Sequence, residues 1–79
     1  MSSHSLADIT QDDWIRGCRK LGLVVETQHG KGSHALVKHP TNNSKYTIQR
    51  KLHKMINKRI FAVMEQWGFK EEEIWDALR

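Results

Sequence analysis

Residues 23–49 read LVVETQHGKGSHALVKHPTNNSKYTIQ. Leu23 to Gln28 is rich in β-branched residues and predicts a strand. His29-Gly30-Lys31-Gly32 predicts a turn, because glycine tolerates the backbone angles a reversal needs. Ser33 to His39 predicts a second strand, closed by Pro40, which has no N–H to give to a ladder. Thr41-Asn42-Asn43-Ser44 is turn chemistry, and Lys45 to Gln49 predicts a third strand. Two short connections make the three strands an antiparallel meander. The two-residue period of a strand then sorts the faces. Ala35 and Val37, with Tyr46 and Ile48, point toward a core. His34, Leu36 and Lys38, with Lys45, Thr47 and Gln49, make a second face that is polar and basic. One buried and one open face is the usual condition of an antiparallel sheet.

Helical patterns flank this meander. Thr10 can cap a helix, with Asp13 in the capping-box position. Trp14, Cys18 and Leu21 form an apolar stripe that predicts a helix over residues 11–21, stopped by Gly22. Residues 50–57 are a connector, with Asn57 as the cap of a second helix; a start near His53 is the alternative. Ile60, Met64 and Trp67 form the second helical stripe, ended by Gly68. A short third helix spans Glu71 to Leu78, with three glutamates at its positive end. The order helix, three strands, helix gives an α+β layer with both helices on one sheet face and a short C-terminal helix added, an order that resembles the double-stranded-RNA-binding topology.

Length and composition narrow the choices further. Seventy-nine residues make one domain, here residues 10–79, behind a patternless stretch at residues 1–9 expected to fray. The one cysteine, Cys18, excludes an intrachain disulfide and reads as a small core residue. No segment approaches the roughly 20 apolar residues of a membrane span. Residues 1–7 lack the apolar run of a secretory signal, so the expected location is the cytoplasm, with no membrane partner.

Charge is the strongest functional signal in the composition. The net charge of +4 is unevenly laid out. Residues 14–59 hold eleven of the Lys and Arg side chains against a single acid, Glu26, while both ends are acidic. A folded basic block of this kind is the footprint of a polyanion-binding face. Lys31, Lys38, Lys45, Arg50, Lys51 and Lys54 are the cations expected to hold that polyanion, with Gly32 and Ser33 allowing a phosphate close approach. The tryptophans sit on helical stripes or near the C-terminus and read as core, not as base-stacking platforms.

Lys31-Gly32-Ser33-His34 enters the second strand, behind an amphipathic helix, Gly22 and a strand, and ahead of a helix ending Gln66-Trp67-Gly68. In that setting, over residues 11–68, the chain resembles the HicA family of small mRNA-interferase toxins. The resemblance implies metal-free RNA cleavage with His34 as the single catalytic residue, and inhibition by a HicB-type antitoxin. Ala35, the Gln49-Arg50 pair, Lys58 and the last helix depart from the family pattern.

The chemistry fits those residues. RNA carries its own nucleophile, the 2′-hydroxyl, so cleavage needs a base, positioning and charge stabilisation. Imidazole titrates close to neutral pH and suits the base. One histidine cannot be base and leaving-group acid at once, so water or a lysine is expected to do the other half. His29, His34 and His39 recur every five residues, but an odd spacing alternates strand faces, and no metal or other cofactor is expected. Two readings compete with a toxin ribonuclease: a non-catalytic RNA-binding module, and a protein-interaction domain whose charges only solubilise it.

Overall fold

The computed structural model describes residues 6–27 and 34–79. A 3₁₀ turn at Leu6–Asp8 leads into α1 (Gln11–Lys20). The strands β1 (Val24–Thr27), β2 (Ala35–Lys38) and β3 (Lys45–Ile48) follow, then α2 (Lys54–Gln66) and α3 (Glu71–Leu78). The sheet order is β1-β2-β3, antiparallel throughout, so the α+β arrangement expected from the pattern is the one present. Each strand is a residue or more shorter than its sequence pattern.

The capping box of α1 forms as the sequence requires. Thr10 Oγ1 accepts from the Asp13 N–H at 3.2 Å, and the Thr10 N–H donates to Asp13 Oδ2 at 3.0 Å. That backbone bond from Thr10, helped by Arg16, holds the Asp13 carboxyl below the usual carboxylate range. A carboxyl lowered in the fold stabilises it at pH values above its ordinary range, and this is lost as pH falls through the lowered value. Gly22 and Gly68, at φ 87° and 100°, end the first two helices in the left-handed conformation.

The sheet faces alternate as predicted. Ala35, Val37 and Ile48 are buried and Tyr46 is half-buried against the core. His34, Lys45 and Thr47 are exposed. Ile60 and Met64 of α2, Trp14 and Cys18 of α1 and Ile74 of α3 complete the core cluster. Phe61 bridges the helices: its ring meets Trp14 edge-on at 5.3 Å and Trp75 at 4.9 Å. Gly17 lets α1 approach α3, because a Cβ there would lie 3.1 Å from Leu78 Cδ2.

Two expectations are corrected. Of the two starts the sequence leaves open for α2, the one at His53 holds: His53 is the N-cap, and Asn57 does not cap the helix but lies fully buried one turn inside it. Its Oδ1 accepts from Trp14 Nε1 at 2.9 Å, and its Nδ2 donates to the carbonyls of Ile9, at 3.2 Å, and Leu6. Nor does the whole of residues 1–9 fray. Those bonds, the 3₁₀ turn and a buried Ile9 tie residues 6–9 to α2; residues 1–5 lie outside the described part.

A buried amide with all its partners is stabilising, and removing it strands them. Asn57→Leu is expected to cost about 2–4 kcal/mol in urea unfolding, since it leaves the Trp14 N–H and two carbonyls unpaired. Adding Trp14→Phe to Asn57→Leu should cost less than Trp14→Phe alone.

Candidate functional site

The open face of the sheet is a grid set by register. Val24, Lys38 and Lys45 form one row across the strands, because Val24 pairs with Lys38 and Lys38 with Lys45. Glu26, Leu36 and Thr47 form the next. His34, two residues before Leu36, continues the same side of β2. Glu26, His34, Leu36 and Thr47 together line a shallow depression of about 160 Å³. Leu36 is its half-buried floor.

Two like charges face each other beside this depression. Lys38 and Lys45 are directly opposed in register, which is a destabilising arrangement. Glu26 relieves it on one side only: Lys38 Nζ lies 3.1 Å from Glu26 Oε2. Lys45 has no ion-pair partner among the described residues. A bound anion would offset the remaining repulsion.

The described members of the expected RNA-binding set do not all lie on this face. Lys31, Gly32 and Ser33 lie outside the described residues. Arg50 lines a separate depression with Thr10, Gln11 and Asp12, beside the acidic start of α1. Lys51 and Lys54 are exposed on the connector and at the first residue of α2. Among the described cations of that set, Lys38 and Lys45 share the sheet face with His34.

His39 is explained by structure. Its Nδ1 accepts from the Thr41 N–H at 3.2 Å, and its backbone N–H donates to the Ser44 carbonyl at 2.7 Å. Its ring packs edge-on against Trp67 at 5.8 Å. Asn43, at φ 63°, completes the turn. His39 thus organises the β2–β3 turn and is occupied there.

Other candidate chemistry is weaker. Burial pushes the Cys18 thiol up to about 12, so it is not a nucleophile. Among the described residues, no three His, Cys, Asp or Glu side chains come together as metal ligands. A larger cleft of about 520 Å³ lies between α2 and α3, with Phe61, Ala62 and Trp75 in its walls. Lys58, Glu65 and Glu71 line it too, but no histidine or cysteine does, so the His34 depression holds the better-equipped chemistry despite its smaller size. No helix among the described residues is long and apolar enough to cross a membrane.

Glu26 and Thr47 are the site residues that motif reading passed over. Strand period places Thr47 on the His34 face, and the β1–β2 register brings Glu26, the lone acid of the basic block, to it. Comparisons with family models, with curated proteins and with solved structures give no match.

His34 and His39, which flank β2, should separate cleanly in stability. Truncating exposed His34 to Ala should change the unfolding free energy by no more than about 0.5 kcal/mol. His39→Ala should cost about 1–2 kcal/mol, because a turn hydrogen bond and an aromatic contact go with it. Chemical denaturation of both variants checks this.

Proposed function

We propose that this chain is a toxin-type endoribonuclease that cleaves mRNA without a metal, using His34, and that a HicB-type antitoxin restrains it. The observation that carries the reading is the exposed His34 in a depression on the open sheet face, next to the opposed Lys38 and Lys45. The HicA resemblance of Lys31-Gly32-Ser33-His34 supports it, as does the density of cations across residues 14–59.

The parts divide the work simply. The RNA 2′-hydroxyl is the nucleophile. Lys45, and Lys38 once its carboxylate partner is displaced, hold the scissile phosphate and offset charge that builds in the transition state. His34 moves a proton at the reacting oxygens. The helices cover the other sheet face, so RNA has one side to approach. An antitoxin covering His34 and the two lysines would block that approach, and acidic groups would suit it.

Cleavage of a labelled RNA by the purified chain tests this reading. His34→Ala should slow cleavage by 10²–10⁴-fold or more while circular dichroism and most RNA affinity stay as in the wild type. A folded His34→Ala variant that cuts at the wild-type rate would contradict it. Chelator should leave the wild-type rate unchanged.

Binding should report the two lysines unequally. The logarithm of the RNA affinity should fall linearly with that of salt, by about 0.7 units per single-strand phosphate neutralised. Lys45→Ala should flatten this slope more than Lys38→Ala, because Glu26 already occupies Lys38. Titrations at several salt concentrations measure both slopes.

A further inference from the structure

We propose that Glu26 is the second proton-transfer group of the RNA-cleavage site, taking the proton of the 2′-hydroxyl while His34 protonates the leaving 5′-oxygen. This rests on the ribonuclease reading above and assigns the half of the reaction that one histidine leaves unfilled.

Three observations carry it. First, Glu26 and His34 line the same depression, with Leu36 and Thr47 between and beside them. Second, register makes them diagonal neighbours. Glu26 pairs with Leu36, which stands two residues from His34 on one side and two from Lys38 on the other. Diagonal positions on a sheet face are roughly 7–8 Å apart, within reach of a long side chain. The Glu26 carboxylate is therefore poised between His34 and Lys38, and in the free protein it sits on Lys38 at 3.1 Å. Third, a carboxylate is costly on a face built for phosphate. Glu26 is the one acid in residues 14–59, and it stands on the edge strand β1 beside the central strand that carries Leu36 and Lys38, 54% exposed at the side chain. Its exposure leaves it free to turn, since an exposed ion pair holds weakly.

An arriving phosphate competes for Lys38. It takes the ammonium that Glu26 holds and leaves the carboxylate facing the ribose. The 2′-oxygen then bonds to phosphorus as the bond from phosphorus to the 5′-oxygen breaks. The 2′-hydroxyl proton passes to Glu26, and the imidazolium proton of His34 passes to the 5′-oxygen. The products are a 2′,3′-cyclic phosphate and a 5′-hydroxyl end, and neither water nor an oxidant is consumed. The titratable groups beside Glu26 on the described sheet are its diagonal neighbours Lys38 and His34, with Lys45 beyond Lys38 on β3.

The test is the pH profile of kcat/KM for a short RNA, for the wild type and four variants. The wild type should give a bell. Glu26→Gln should lower the rate at least 10²-fold and remove the acid limb, and Glu26→Asp should restore that limb with part of the rate. His34→Ala should remove the alkaline limb. Lys38→Ala should raise KM and keep both limbs. If Glu26→Gln and Lys38→Ala have the same effect, or Glu26→Gln keeps the acid limb, Glu26 only tethers Lys38 and the assignment is overturned while the His34 ribonuclease stands. If the folded wild type yields no cyclic-phosphate product, the ribonuclease reading itself falls and takes this one with it.

Discussion

The buried amide of Asn57 is the constraint on which the arrangement of the helices depends. One side chain of α2 accepts from Trp14 in α1 and donates to the carbonyls of Leu6 and Ile9. In a core where such groups are rarely buried, an amide satisfied on both ends specifies one packing over its neighbours. It fixes α2 against α1 and the preceding turn, and Phe61 carries the same alignment on to Trp75 of α3. With Ile60 and Met64 so placed against Val37 and Ile48, one side of a three-stranded sheet is sealed. The other side has nothing from the described chain to cover it, and its chemistry is left facing solvent.

That open face is electrostatically unfinished. Lys38 opposes Lys45, and a single carboxylate serves only the first of them. Such a face gains by taking up an anion, and a polyanion brings many. The same crowding gives Glu26 two roles that do not conflict in time. It neutralises Lys38 in the free chain, and in the proposed reaction it would turn to a ribose hydroxyl when phosphate takes its place. On this account the face owes its function to the lateral spacing of three strands, not to any enclosed pocket.

Much of this was legible in the sequence, and the gaps have physical causes. The strand period correctly separated Ala35, Val37 and Ile48 from His34, Lys45 and Thr47, because a one-residue register slip would have turned every apolar side chain outward. Asn57 rivals His53 as the cap of α2 in the sequence because the features of a good helix cap, a short polar side chain ahead of an apolar stripe, also suit a buried hub one turn inside. Only the distant partners Leu6, Ile9 and Trp14 distinguish the two. Arg50 counts as a cation in the sequence, yet the fold places it in a depression with Thr10, Gln11 and Asp12 and not in the one that His34 lines. Glu26 escaped notice because its relation to His34 depends on the β1–β2 register across a turn, which no local motif encodes.

The central claim is that RNA lies on the open sheet face across Lys38, Lys45 and His34. The most direct measurement is backbone and side-chain NMR during titration with a short RNA whose 2′-hydroxyl at the cleaved position is replaced by hydrogen, so that it binds without being cut. The account predicts that the largest shifts fall on Glu26, His34, Leu36, Lys38, Lys45 and Thr47, with the Glu26 carboxyl resonance reporting its release from Lys38. Shifts confined to the cleft between α2 and α3, or the absence of any change at the sheet under low-salt saturation, would contradict it.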